Sequence, residues 1–164
     1  MGDPELERLL GFLQEHTALG LATDGGEAPW ASILFYANDG STLYFMTEPD
    51  KRLVANIASN PRVAATVVDE GDGLSTACGV QMVGRVAEVS SPAEAARGRA
   101  LLLTRLARSG ASSLLGGADR LLALGRFAGT RLYRMEIERA WFTDNALGLG
   151  HRTEMEMKGG TRVD

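Results

Sequence analysis

The most constraining feature of this sequence is a pair of short turns that separates its first three apolar segments. The turn DGGE links ALGLAT to APWASILFYA, and the turn NDGS links that second segment to TLYFMT. Asp-Gly and related pairs adopt the left-handed backbone that tight β-hairpins need. A parallel crossover takes about a dozen residues or more, so these three strands have to pair antiparallel.

The rest of the sequence alternates helices with further strands. Asp3 caps a predicted N-terminal helix, PELERLLGFLQEH. RVAATVVD and GVQMVGRVAEV predict strands four and five, and Gly79 and Gly84 predict bends or bulges in the fifth. SPAE is a capping box that opens a helix running to about Ser109, and a short helix is predicted from Asp119 to Gly125.

These elements together predict a small α+β, mainly β domain. TRLYRMEIERAWF is the sixth strand, with Tyr133, Met135 and Ile137 facing the core. Six antiparallel strands with flanking helices close into a barrel, because closure removes the exposed edges of the sheet. We expect a single domain over residues 1–150 and a polar, flexible tail over residues 151–164.

Composition narrows the class of protein. The chain has 164 residues, of which 45% are hydrophobic and 23% charged, as in an ordinary globular domain. Its net charge of -4 argues against nucleic-acid binding, and no apolar run approaches the ~20 residues that span a bilayer. The start MGDPELERLL does not resemble a signal peptide. We therefore expect a cytoplasmic protein without nucleic-acid or membrane partners, with Cys78 as a free thiol and no metal site.

Two cations at the start of a predicted helix suggest an anion site. Lys51 and Arg52 follow Asp50, the expected helix cap. The free N–H groups of a helix start attract anions, and Thr47, at the end of strand three, adds a hydroxyl. The same cations can instead extend into water, so the pattern alone leaves both interpretations open.

Two polar side chains stand among apolar neighbours on the predicted strands. Ser32 lies in PWASILFY, whose two faces are both largely apolar, and a hydroxyl there needs a partner. A planar aromatic ligand with polar edges would provide one. Gln81 is the second such residue, on strand five. Core packing and an edge position explain the same residues without a ligand.

The order of these elements resembles the flavin-binding split barrels that are similar to pyridoxamine 5′-phosphate oxidase. The likeness extends from about Leu6 to Gly150 and is carried by WASILFY, LYFMT, EPDKR, SNPRVAATV and GVQMVGRVAEV. WFTDNALGLGH resembles a bacterial branch whose role is undefined. The resemblance implies a homodimer of two six-stranded split barrels, with FMN bound in clefts at the interface.

The resemblance also implies which residues hold the cofactor. Thr47, Lys51 and Arg52 would bind the FMN phosphate. Strand two would lie along the isoalloxazine ring with Ser32, Ile33 and Leu34, partly through backbone groups.

The remaining residues lie on the later strands. Gln81 would reach the ring from strand five, and Trp141 and Asn145 would close the cleft from the same or the second subunit. The set comprises Thr47, Lys51, Arg52, Ser32, Ile33, Leu34, Gln81, Trp141 and Asn145.

The sequence departs from the family pattern at two places. True vitamer oxidases carry an Arg-Pro…Trp segment near the C-terminus that grips the substrate, whereas this chain has ERAWFTDNALGLGHR. We therefore expect that it does not oxidise pyridoxamine phosphate. Relatives often carry a serine before the basic pair, where this chain has Asp50. An acid there lowers the affinity for phosphate unless it caps the helix.

The expected function is that of a flavin-dependent oxidoreductase of unknown substrate, with hydride chemistry supplied by the flavin. His16 and His151 pair with no Ser or Cys nucleophile at a recognisable spacing, so no catalytic residue is assigned. Two alternatives stay open. The protein can be a non-enzymatic flavin store or sensor, or its barrel can hold heme, with His151 as a conceivable iron ligand, or a deazaflavin cofactor.

Overall fold

The computed structural model describes residues 2–108 and 127–163. The predicted helix from Asp119 to Gly125 lies outside these ranges. The helices and strands of the described part follow the chain in the order α1 (Pro4–Glu15), β1 (Ala18–Thr23), β2 (Trp30–Asp39), β3 (Thr42–Thr47), α2 (Arg52–Ser59), β4 (Arg62–Asp69), β5 (Cys78–Glu88), α3 (Pro92–Arg108), β6 (Arg131–Asp144), a 3-10 turn (Asn145–Leu147), β7 (Arg152–Lys158) and β8 (Thr161–Arg162).

The first six strands form a closed antiparallel barrel, which confirms the predicted fold. Their order is β3-β2-β1-β4-β5-β6, and β3 closes the ring by pairing with β6 from Thr42↔Glu136 to Thr47↔Arg131. β7 and β8 extend the sheet beyond β6. No helix in the described ranges has the length and hydrophobicity needed to cross a membrane.

The interior of the barrel is filled by alternate residues of each strand. Tyr133, Met135 and Ile137 are buried, as the alternation in β6 predicted. Leu9 and Leu13 of α1 are fully buried in the same core. The helix therefore belongs to the hydrophobic core of the barrel.

The pairing of the fifth and sixth strands is irregular at Gly84, where the sequence predicted a bend or bulge, and the extra residue is Glu138 of β6. The pairing of β5 with β6 shifts register between Val83 and Gly84. A Cβ atom at Gly84 would lie 2.1 Å from the backbone oxygen of Glu136, so only glycine fits. At Gly79 the pairing stays regular.

The segment after Gly150 differs from the flexible tail that the sequence predicted. It forms β7, which pairs with β6 from Thr143↔Arg152 to Arg139↔Glu156. Met155 is fully buried and Met157 nearly so. The prediction was wrong because the charged residues of this segment concealed the alternation that buries its methionines.

Candidate functional site

The first half of β2 separates from β3 and leaves one strand edge free. Tyr36–Asp39 pair with β3, whereas Trp30–Phe35 pair with β1 alone among the described strands. Alternate N–H and C=O groups of an antiparallel strand point to opposite neighbours. The edge of Trp30–Phe35 that faces away from β1 therefore offers backbone donors and acceptors to the polar rim of a ligand.

The two cations predicted to hold an anion lie at the start of α2 and already contact acids. Lys51 Nζ lies 2.7 Å from a carboxylate oxygen of Glu48, and this contact raises the pKa of Lys51. Arg52 lies 3.7 Å from Glu27 and donates a 3.2 Å hydrogen bond to the carbonyl of Ala28. Both cations are exposed, so a ligand can replace their present partners.

The start of α2 carries no side-chain cap. Lys51 is the N-cap residue, and no side chain hydrogen bonds to the first helical N–H groups. The prediction that Asp50 caps this helix was therefore wrong: the helix begins one residue later than that role requires. The uncapped N–H groups of Arg52 and Leu53 add partial positive charge beside the two cations.

Thr47 and Trp30 connect this helix start to the free strand edge. Thr47 ends β3 and is buried, and its hydroxyl makes no hydrogen bond with the described residues. The Arg52 guanidinium lies 4.8 Å from the centroid of the Trp30 ring. Because Trp30 opens β2, this contact places the cation next to the strand that carries Ser32, Ile33 and Leu34.

The two faces of β2 have very different environments. Ser32 and Leu34 are half-buried, whereas Ile33 is 87% exposed on the outer face of the barrel. The outer face of this strand, although largely apolar in sequence, is therefore uncovered in the single chain. An isoleucine this exposed leaves room for a further covering surface.

A second concave surface lies on the outer face of the barrel. It is a largely apolar groove of about 460 Å³ lined by residues of β1, β2, β4, β5 and β6 and by Arg152 of β7, a volume typical of small-molecule sites. Its floor is low because small side chains line it. The small lining residues include Gly20, Ala22, Ala31 and Ala64, and the polar or aromatic ones are Thr66, Gln81, Trp141 and Arg152.

The rim residues of the groove are fixed against one another. Gln81 pairs with Trp141 across β5 and β6. Arg152 Nη2 donates a 2.7 Å hydrogen bond to Gln81 Oε1, and its guanidinium lies 5.9 Å from the Trp141 ring centroid. Arg139 lies at the same distance from that ring. The sequence reasoning missed Arg152 because it treated this segment as a tail.

Asn145 has a role within the fold that the sequence did not suggest. Its Nδ2 donates a 2.7 Å hydrogen bond to the carbonyl of Leu74, and its Oδ1 accepts one of 2.9 Å from the N–H of Gly150. Both polar atoms of the side chain therefore join two loops. His151, the conceivable iron ligand, is exposed.

The predicted cofactor residues thus fall into two groups in one chain. Thr47, Lys51 and Arg52 adjoin the free edge of β2, whereas Gln81 and Trp141 belong to the outer groove. No hydrogen bond or ion pair joins the two groups within the described residues.

Comparisons with known proteins concern the family and the fold of the chain. Residues 6–144 match the family model described as pyridoxamine 5′-phosphate oxidase. A UPF0306 protein of Yersinia pestis is 26% identical over 156 residues, covering 93% of this chain and 94% of the relative.

Solved structures share the fold at low sequence identity. A conserved hypothetical protein from Mycobacterium tuberculosis superposes with a TM-score of 0.71 at 21% identity, covering 97% of this chain and 93% of that one. A heme-binding protein from Mycobacterium smegmatis gives a TM-score of 0.68 at 18% identity, over 95% and 60% of the two chains. An FAD-binding protein from Mesorhizobium loti gives 0.62 at 21% identity, over 85% and 92%.

Proposed function

The chain belongs to the pyridoxamine 5′-phosphate oxidase family, and from this premise we propose that it is a homodimeric FMN-dependent oxidoreductase of a substrate other than pyridoxamine phosphate. The observation that carries the proposal is the free edge of β2 beside an uncapped, cation-bearing helix start. The free edge of β2 suits a flat heterocycle with polar edges, and the start of α2 suits a phosphate.

The phosphate of FMN is assigned to Thr47, Lys51 and Arg52 with the first N–H groups of α2. The contacts of both cations with Glu48 and Glu27 are exposed ion pairs, which water screens and which contribute little. Charge-assisted hydrogen bonds to a dianion contribute about 1.5–3 kcal/mol each. The phosphate therefore outcompetes the acids for the two cations.

The isoalloxazine ring is assigned to the free edge of Trp30–Phe35, with Ser32 and Leu34 beside it. FMN supplies the hydride chemistry when bound. The protein orients the ring through backbone hydrogen bonds and keeps water from one of its faces. The described residues offer no catalytic triad, so we assign no acid or base in the chain.

A second copy of the chain is proposed to cover the outer face. Ile33 is 87% and Val68 67% exposed, and both lie on strands that also border the apolar groove. An exposed apolar surface of this kind is typical of a protein interface. Pairing would bring Gln81 and Trp141 of one copy towards the cleft of the other, which unites the two groups of predicted residues.

Heme is the second candidate ligand. It is favoured by the fold shared with the Mycobacterium smegmatis heme-binding protein and by the exposure of His151. A Soret band in the purified protein that disappears in the His151→Ala variant would identify heme, and not FMN, as the bound ligand. Deazaflavin, the third ligand considered, would be identified by its mass after denaturation.

The test is a fluorescence titration of the purified full chain with FMN. We expect Lys51→Ala/Arg52→Ala to weaken FMN binding by about 100-fold, since two charge-assisted contacts are lost. The matched control is Arg62→Ala/Arg85→Ala, which removes two exposed cations that both contact Glu138. Unchanged FMN affinity in the first variant would contradict the proposal.

Turnover is tested separately from binding. Reduction of bound FMN by NADH or NADPH under anaerobic conditions supports an oxidoreductase. Tight FMN binding with no reduction by either donor identifies a flavin-storing or flavin-sensing protein instead. Sedimentation of the FMN-loaded chain as a monomer would contradict the proposed interface.

A further inference from the structure

We propose that a cavity between α1, β2 and α3 binds a small hydroxylated phosphate ester, with Arg105 and Arg108 as the residues that hold the phosphate. The cavity has a volume of about 490 Å³, within the range of small-molecule sites. Its described lining shares no residue with the set assigned to FMN. A ligand bound there is therefore independent of the flavin function.

One face of α3 forms a wall of this cavity. The four residues of this wall recur at helical spacing and so lie on the same side of α3. They are Leu101, Thr104, Arg105 and Arg108. The small side chain of Ala37, buried on β2, also lines the cavity and leaves space beside the helix. The rest of the described lining comes from the neighbouring residue of β2, from the end of α1 and from the link that follows α1.

Arg105 is held in place by neutral oxygen atoms. Its Nη1 donates hydrogen bonds to the carbonyls of Leu13, at 3.2 Å, and His16, at 3.0 Å. Its Nη2 donates a third bond, of 3.0 Å, to Oδ1 of the buried Asn38. These bonds occupy three of the five N–H groups of the guanidinium, so two remain for a further oxygen ligand. The side chain is already oriented before that ligand arrives.

The positive charges of Arg105 and Arg108 have no carboxylate partner among the described residues. Burial lowers the pKa of the Arg105 guanidinium, and the positive charge of Arg108 acts in the same direction. Both effects destabilise the charged form of a group that stays protonated at neutral pH. A bound dianion offsets both of them, and guanidinium groups match the geometry of phosphate oxygens. A phosphate group therefore suits this pair of arginines.

The remaining polar side chains define the rest of the ligand. The amide of Gln14 and the hydroxyls of Thr17 and Thr104 line the cavity and make no hydrogen bond with the described residues. Such groups both donate and accept hydrogen bonds. Glu15 also lines the cavity, and its carboxylate accepts hydrogen bonds from hydroxyls but disfavours a second anionic group in the ligand. A short hydroxylated chain with one phosphate matches this lining.

Calorimetric titration of the full chain with sn-glycerol 3-phosphate, and with glycerol as its neutral counterpart, tests the site. We expect the ester to bind and glycerol to give no measurable heat, because only the ester forms charge-assisted hydrogen bonds. The titration is repeated with the Lys51→Ala/Arg52→Ala variant, which should keep its affinity for the ester. Loss of binding in that variant would place the ester at the start of α2 and overturn the proposal.

Arg108→Gln should weaken binding of the ester by about tenfold or more. This arginine is exposed and has no protein partner to lose among the described residues, so the change should leave the fold intact. Arg97→Gln is the matched control. It removes the same charge from an exposed position of the same helix, where the arginine lies 3.4 Å from Asp39, and it should leave the affinity unchanged.

Arg105 needs a second pair of variants because it also holds the end of α1. Arg105→Lys keeps the charge and loses the planar fork, so it should weaken the ester less than Arg105→Gln does. Thermal unfolding of both variants is measured in parallel, and affinities are compared only for folded protein. Failure of the wild type to bind the ester, or an Arg108→Gln variant with the affinity of the wild type, would each overturn the proposal.

Inorganic phosphate tests the hydroxylated part of the ligand. It should bind more weakly than sn-glycerol 3-phosphate, since it leaves Gln14, Thr17 and Thr104 without partners. Equal affinities of the two would overturn the assignment of a hydroxylated chain. A protein that binds the ester through Arg108 but does not bind FMN keeps this site and loses the proposed flavin function.

Discussion

Arg52 stacks over Trp30, with its guanidinium carbon 4.8 Å from the ring centroid, and so joins the start of α2 to the start of β2. The two residues are 22 positions apart in sequence, and the loop that precedes Trp30 also supplies Glu27 and Ala28 as partners of the same arginine. This contact holds the cation beside the strand edge to which we assign the flavin ring.

We predict that Trp30→Ala weakens FMN binding by about three- to tenfold, because the cation–π contact that orients Arg52 is lost. Trp30→Phe, which keeps an aromatic face, should lose less. Fluorescence titration with FMN measures both. An alanine variant with the affinity of the wild type would show that the Trp30 contact does not position the arginine for the ligand.

Gly84→Ala is predicted to destabilise the fold by more than about 2 kcal/mol, because the added Cβ would lie 2.1 Å from the Glu136 oxygen across the bulge. Gly11→Ala is the control. A Cβ at Gly11 has no neighbour within 4 Å in helix α1, so that change should stabilise by about 0.5–1 kcal/mol. Urea unfolding followed by circular dichroism gives both free energies.

Met155→Ala is predicted to lower the free energy of unfolding by about 2–5 kcal/mol, because this fully buried side chain of β7 belongs to the barrel core. Lys158→Ala, at the exposed end of the same strand, should change it by less than about 0.5 kcal/mol. If both variants unfold like the wild type, the segment after Gly150 is the loose tail that the sequence suggested.

Cys78 is predicted to react slowly with iodoacetamide at pH 8. Burial, followed by the hydrogen bond and negative charge of Asp144, raises the pKa of its thiol. Less of the reactive thiolate is therefore present than in an unfolded cysteine, and the rate should rise only at more alkaline pH. Comparing pH–rate profiles of the native and urea-unfolded protein checks this, and a native rate as fast as the unfolded one would contradict it.

Asp144→Asn offers a second check on the thiol. Removing the carboxylate charge next to Cys78 should lower the pKa of the thiol and move the alkylation profile towards neutral pH. Arg8 also contacts Asp144, so the thermal stability of the variant needs to be measured in parallel. An unmoved profile in a folded variant would leave burial as the sole cause of the shift.

The sequence was sufficient for most of the barrel. Short turns dictated antiparallel hairpins, alternation identified the inward face of β6, and Gly84 marked the bulge. These features depend on neighbours along the chain or on the steric limits of single residues, which a sequence displays directly. The order of elements also carried the family resemblance.

Predictions from the sequence were wrong where charged residues lie next to buried ones. In β7, Arg152, Glu154 and Glu156 alternate with buried residues, and their density suggested a solvated tail. The expectation that Asp50 caps α2 failed because the residue that caps a helix depends on where its first turn begins. The hydrogen bonds of the Asn145 amide to Leu74 and Gly150 were not suggested by its place in the sequence.

By itself the sequence determined the strand meander, the bulge and the presence of two cations near one helix start, because these follow from local backbone preference and composition. Only the tertiary structure decided that β2 leaves β3 after a few pairs, that Arg52 stacks on Trp30, and that Arg152 joins Gln81 and Trp141 at one groove. Those relationships connect residues distant in sequence, and their geometry exists only once the barrel has closed and β7 has paired with β6.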